Sequence, residues 1–235
     1  MSSEAKPNVL VVYYSLTHQT ARVADAMAQA LIARGCDATL AELEFTDERY
    51  VPKLSQFPMK RPMTQIPVIL PAQLRHKTGE IVIPPEAREG EYDLVLIASP
   101  TWWFQTCMPI RSYLESPEAT AILDGKPFAC VSISRRYYGS NLRQQRKLGE
   151  KNGGRWIAKT HFVSAGGQVK SMLGWLGYMK HGEPQERVFG LKMYPPNLKD
   201  DFEEQATSFV DDILGQVLPQ QGSDASSEPG GSRKR

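Results

Sequence analysis

Apolar and polar positions along this chain alternate in two different periods. Asn8 to Tyr14 is nearly continuous Val, Leu and Tyr, the pattern of a strand covered on both faces in a parallel sheet. From Thr20 the period changes. Val23, Met27 and Leu31, with Ala24 and Ala28 alongside, form a stripe at helical spacing; Arg22, Asp25, Gln29 and Arg34 fall elsewhere and Gly35 stops the helix. DATLAEL (37–43) reads as a second strand and completes a βαβ unit with a right-handed crossover. YDLVLIASP (92–100) is the clearest buried strand, and TWWFQTCMPIRSYLES after it begins as a loop and turns helical near Pro109. GKPFACVSIS (125–134) is another strand. A polar helix follows over 141–152, then the strand RWIAKTHFVSA (155–165), and a closing helix from Leu198 to Leu218 with Phe202, Ala206, Phe209, Val210 and Leu214 on one face. Strands alternating with helices predict an α/β architecture, a doubly wound parallel sheet.

Two stretches break the alternation. Residues 44–88 hold seven of the 17 prolines and predict an irregular, extended excursion over the surface. Residues 166–197 contain GGQVKSMLGWLGYMKHGE, which predicts a short helix interrupted by Gly174 and Gly177. The tail from Pro219 has no aliphatic larger than Ala and is expected to be disordered. One domain over 1–218 with two long insertions is the expectation.

Composition narrows the function classes. A content of 41% hydrophobic and 23% charged residues suits a buried core, and a net charge of +2 is far from the single-sign field of a nucleic-acid binder. No nucleic-acid partner is expected. Cys36, Cys107 and Cys130 are widely separated, without CxxC spacing or neighbouring histidines, so neither a metal site nor a disulfide framework is expected. No run approaches the roughly 20 apolar residues that span a bilayer, and MSSEAKPNV lacks a secretory apolar stretch. No transmembrane segment and a cytoplasmic location follow as expectations.

Candidate chemistry gathers at the carboxyl ends of the predicted strands. Where the first strand meets its helix the chain reads SLTHQT, with hydroxyls at Ser15, Thr17 and Thr20. Unpaired amides and the positive end of the helix dipole attract a phosphate there; the plainer alternative is that Ser15 or Thr17 caps the helix. The next turn, Ser99-Pro100-Thr101-Trp102-Trp103-Phe104, and a third, Ser134-Arg135-Arg136-Tyr137-Tyr138-Gly139, lie at the same edge. Hydroxyls on one turn and large rings on two point to a flat aromatic ligand carrying a phosphate. Trp102 or Trp103 as core plugs is the alternative.

The strand-SLTHQT-helix opening, YDLVLIASPTWW and the turn after VSIS together resemble the flavodoxin-like superfamily, including FMN-dependent NAD(P)H:quinone oxidoreductases and FMN reductases. The resemblance covers about residues 8–165 and the last helix. It implies a five-stranded parallel sheet with FMN at the switch point. On this chain Ser15, Leu16, Thr17, His18, Gln19 and Thr20 would wrap the phosphate. Pro100, Thr101, Trp102, Trp103 and Phe104 would flank the isoalloxazine, with Trp102 or Trp103 against one face. Ser134 to Gly139 would line the pyrimidine edge, with Tyr137 or Tyr138 as a second contact. His18 stands where the family usually has Gly; with an ordinary helical φ its N–H would still point inward.

The implied activity is electron transfer from NADPH or NADH to a quinone or similar flat small-molecule acceptor, with no catalytic residue identified, and related reductases suggest a homodimer. Arg135, Arg136, Arg143, Arg146, Lys147, Lys151 and Arg155 face one acid, Glu150, between residues 134 and 155. They read either as a receiver for an NADPH phosphate or an acidic protein, or as a solvated helix face. Two other functions stay open: a flavodoxin that shuttles electrons between proteins, and a flavin-free binding module acting through Trp175, Tyr178 and Met179.

Overall fold

The first strand is apolar along its whole length because both of its faces are covered. The computed structural model describes residues 6–54, 57–164, 168–183, 185–188, 190–193 and 198–217. In β1 (Asn8–Tyr13), Val9, Val11 and Tyr13 enter one core while Leu10 and Val12 enter another. The same division runs through β3 (Leu94–Trp102) and β4 (Pro127–Ser134). With β2 (Asp37–Glu42) and β5 (Arg155–Val163) they form a sheet in the order β2-β1-β3-β4-β5, every adjacent pair parallel. Strand order reverses beside β1, which creates a crevice at the carboxyl edge between the first and third strands.

Two helices cover one face: α1 (Gln19–Ala33), through Val23, Met27 and Leu31, and a closing helix, α6 (Phe202–Val217), through Phe202, Phe209 and Ile213. Gly35, at φ 80, lets the chain leave α1 while the Cys36 amide returns to the Leu31 carbonyl. On the other face lie α2 (Met108–Leu114), α3 (Pro117–Leu123) and α4 (Gly139–Lys151). The sequence pattern did not separate α3. Its signal is local: Ser116 accepts the Ala119 amide and Pro117 occupies the first turn.

The excursion over 44–88 is irregular but not superficial, which corrects the expectation. Three of its prolines, Pro62, Pro67 and Pro71, sit in the first turns of short helical pieces at Pro62–Gln65, Ile66–Ile69 and Leu70–Leu74, where a missing N–H costs nothing. Leu54, Met59, Ile69 and Ile83 are thereby buried in the core, each contributing about 1.5–3 kcal/mol. Asp47 pins the ends together: its carboxylate accepts the amides of Arg49 and Glu80, both at 3.1 Å, and the Arg49 guanidinium. Glu44–Phe45 pairs antiparallel with Ile81–Val82 beside it.

The second insertion also differs from expectation. Gln168–His181, here α5, is one helix that runs through Gly174 and Gly177, because packing of its inward residues outweighs glycine's low propensity. No described helix is long and apolar enough to cross a membrane. The expected disorder from Pro219 falls outside the described residues.

Asp47 is held at about 2 by its hydrogen bonds with Arg49, against the cost of burial. A depressed carboxylate stabilises the fold fully above its unfolded value, near pH 4, and ceases to do so as pH falls through about 2. Asp47→Ala is expected to lower stability by about 2 kcal/mol at neutral pH. Urea unfolding of the two proteins should converge between about pH 4 and pH 2.

Candidate functional site

All three turns singled out in the sequence leave the same edge of the sheet. In the first, His18 takes φ 58 and ψ 0, the left-handed conformation and not the helical one considered for it. Histidine enters this region more readily than most residues that carry a Cβ. The bend lets Ser15 Oγ accept the Ala21 amide at 3.2 Å while the Arg22 amide reaches the His18 carbonyl at 3.1 Å. Ser15 therefore does cap the helix. Among the described residues, the amides of Leu16, Thr17, His18 and Thr20 meet no protein acceptor. Unsatisfied amides at the amino end of a 15-residue helix are donors of the kind that attract an anion. Thr20 is buried, and Gln19 turns its amide oxygen to the Leu198 amide at 3.3 Å, so its side chain anchors the start of the closing segment.

The second turn is shorter than expected. Thr101 and Trp102 belong to β3, and Trp103 and Phe104 alone form the bend, since Gln105–Thr106 folds back antiparallel onto Trp102 and Thr101. Their φ values are 44 and 69. Tight hairpins want left-handed backbone at both central positions, usually from Gly or Asn, and two aromatics there cost roughly 1–2 kcal/mol each. Trp102 meets Tyr14 edge-on at 5.7 Å and Phe45 at 6.4 Å, so it is a core plug that ties the second turn to the first. Trp103 also packs on the core. Phe104 is left 55% exposed.

In the third turn the two tyrosines separate. Tyr138 stacks on His161 at 3.5 Å, and burial, then the nearby Lys199 and Lys159, pushes that imidazole's pKa down. Tyr137 stays at the rim, half exposed, edge-on to Phe104 at 4.9 Å. Gly139 opens α4, and Ser134 Oγ is buried without a partner among the described residues.

A buried polar network holds the turns from below. Asn141 Nδ2 donates to the Ser99 carbonyl, Thr101 Oγ1 and Ser132 Oγ at 2.9–3.2 Å, and its own oxygen accepts from Gln145 at 2.8 Å. Gln73, from the first insertion, donates to the Thr106 carbonyl at 2.6 Å, as does the buried Arg111 at 3.0 Å. Cys107 lies in this layer, its pKa pushed up to about 12 by burial. The sequence reading had named Ser99 and Thr101 but missed Gln73, Arg111, Ser132, Asn141 and Gln145. The available signal was Asn141 and Gln145 one turn apart on the sheet-facing side of a helix read only as polar.

The two insertions meet over this edge. Tyr178 donates to the Thr17 carbonyl at 3.3 Å and packs on Phe57, whose ring lies 6.1 Å from that of His18. The Met59 amide donates to the Met179 carbonyl at 2.6 Å. Trp175 lies 5.6 Å from the Arg135 guanidinium. Helix α5 thus bridges the first and third turns. Tyr178 is 9% exposed and Met179 is buried, so neither is presented for a protein partner as the binding-module reading required. The basic run is likewise partly structural: Arg146 pairs with Glu150 and stacks on Trp156. A groove of about 530 Å³ lined by Lys159, Thr160, Asp201 and Glu204 contains none of the predicted residues.

No family model and no curated protein matches the chain. Among solved structures, a flavoprotein from Lactobacillus acidophilus NCFM in complex with FMN superposes with a TM-score of 0.51 at 19% identity, over 67% of this chain and 93% of its own. A flavodoxin from the domain Archaea superposes with a TM-score of 0.50 at 11% identity, over 89% and 98%. The fold is flavodoxin-like. Within that flavodoxin-like frame, the Ser15–Thr20 turn follows the first strand and the insertions form an added roof.

Substitution at His18 isolates the backbone requirement. His18→Gly is expected to hold thermal stability within a few tenths of a kcal/mol, while His18→Val, branched at Cβ, should lose about 1–2 kcal/mol. Equal losses in chemical unfolding would contradict a left-handed residue here.

Proposed function

We propose that the chain binds FMN at this edge and passes electrons from NADPH or NADH to a quinone or similar flat small-molecule acceptor. The observation that carries the reading is the Ser15–Thr20 turn, with its left-handed His18 and the amides of Leu16, Thr17, His18 and Thr20, which meet no acceptor among the described residues. Those amides and the α1 dipole suit a phosphate monoester without a lysine. The FMN held by the Lactobacillus flavoprotein supports the same ligand here.

The residues present fit the cofactor. Ser134 Oγ is a buried hydroxyl without a partner among the described residues and would gain one from a polar ring edge. Phe104 and Tyr137 offer rings at the rim, while Trp102 and Tyr138 would support them from the packed side without touching the ligand. FMN, when bound, would supply two-electron chemistry, accepting a hydride from the nicotinamide and delivering a hydride to the quinone, whose remaining proton would come from water. The protein's part is to fix the phosphate, orient the ring and exclude water.

The roof favours a small-molecule partner over a protein shuttle. A shuttle needs an open edge where another protein can approach, whereas α5 is tied to Thr17 on one side and Arg135 on the other. FMN-loaded protein mixed anaerobically with NADPH or NADH is expected to lose its visible flavin absorbance in a single turnover and regain it on adding naphthoquinone. Persistence of the colour with both nicotinamides would leave the shuttle as the better reading.

A further inference from the structure

Charge is divided unevenly between the frame and its roof. Residues 50–79 and 166–182 together hold seven Lys and Arg and no Asp or Glu, which leaves 21 of the 28 Lys and Arg against all 26 Asp and Glu for the rest of the chain. Acids resume only at Glu80 and Glu183. The insertions are thus a block of positive charge carried on a chain that is otherwise net acidic. Lys60, Arg61 and Lys180 are exposed and take part in none of the ion pairs among the described residues.

The fold brings part of this charge together. Because the Met59 amide donates to the Met179 carbonyl at 2.6 Å, the backbones of Lys60 and Lys180, the next residue in each segment, pass within about 10 Å of one another. Like charges at that spacing repel over a screening length of similar size, and an anionic surface relieves the repulsion. Apolar side chains stand out beside them. In α5, Ser171, Gly174 and Tyr178 are buried along one face, whereas Met172, Leu176 and Lys180 recur every four residues along another, with Met172 42% exposed. The piece Pro62–Gln65 packs on α5 and leaves Met63 67% exposed.

We propose that the outer face of the roof docks on an anionic lipid surface, with Lys60, Arg61 and Lys180 meeting the headgroups while Met63 and Met172 enter the acyl boundary. Cations interleaved with protruding apolar side chains are the pattern of a segment that lies in a membrane interface, and several of them in one patch supply the attraction without a spanning helix. An acidic protein is the poorer occupant. Protein interfaces centre on aromatic anchors seated in pockets, and the rings of the roof, Phe57, Trp175 and Tyr178, are buried or packed on the core. The inference stands on the roof alone and does not depend on the FMN reading; where both hold, the roof keeps the electron-exchange edge close to the phase in which apolar quinones dissolve.

The test is co-sedimentation of the full chain with vesicles of phosphatidylcholine alone and of phosphatidylcholine mixed with phosphatidylserine. Wild type is compared with two double variants, Lys60→Gln with Lys180→Gln and Met63→Ser with Met172→Ser, whose thermal unfolding establishes that each folds; all four side chains are exposed. The expected result is binding to the phosphatidylserine vesicles only, weakening as salt is added. The lysine variant should lose about tenfold or more in vesicle affinity, and the methionine variant about fivefold or more. Wild type that sediments with neither vesicle, or equally with both, would overturn the proposal, as would a lysine variant that binds like wild type. A loss confined to the lysine variant, with the methionine variant unaffected, would mark a general basic surface suited to an acidic protein and overturn the lipid assignment.

Discussion

A single left-handed residue governs the candidate site. At φ 58, His18 bends the chain between the end of β1 and the start of α1, and the bend decides which amides the protein itself can satisfy. Ser15 takes one and the His18 carbonyl takes the next. The amides of Leu16, Thr17, His18 and Thr20 remain at the positive end of a helix dipole, an arrangement that is costly to bury dry and that an anion relieves. The other turns are arranged around this one: Trp102 locks the second to it through Tyr14, and Tyr178 of the roof helix grips its Thr17 carbonyl.

The insertions change what the flavodoxin-like frame can do. Taken singly, each is a stretch of short or glycine-bearing helix with little independent stability. Together they are cross-linked by the Met59 to Met179 hydrogen bond and the packing of Phe57 on Tyr178. The first is anchored to the frame by Gln73, and its own ends are held together by Asp47. The result is an edge of the sheet covered by both insertions where the first and third turns leave it.

Much of this was legible in the sequence. The three central strands were readable because a parallel strand buried on both faces is written as a nearly unbroken apolar run, as in VLVVY and LVLIAS, whereas the edge strands DATLAE and RWIAKTHFV carry mixed patterns. The carboxyl-edge turns followed from the strands. The roles within the turns did not. SLTHQT names hydroxyls, yet backbone amides are what lie open, and φ at His18 is not written in its side chain. Trp102 and Trp103 read alike until the hairpin at Trp103–Phe104 fixed one ring on Tyr14 and pushed Phe104 outward. The insertions were opaque because their order comes from long-range contacts, such as Leu54 and Met179 in one core, and not from any local period. Proline content correctly predicted broken structure in 44–88 and said nothing of burial.

The most direct measurement is the response of the backbone amides of Leu16, Thr17, His18 and Thr20 to ligand, followed by nitrogen-15 NMR of the full chain. On titration with FMN these four resonances should move downfield together, and riboflavin, which lacks the phosphate, should leave them largely in place while binding at least about a hundredfold more weakly. If FMN binds and the four amides stay still, or if riboflavin binds as tightly as FMN, the first turn is not a phosphate cradle and the account is wrong at its centre.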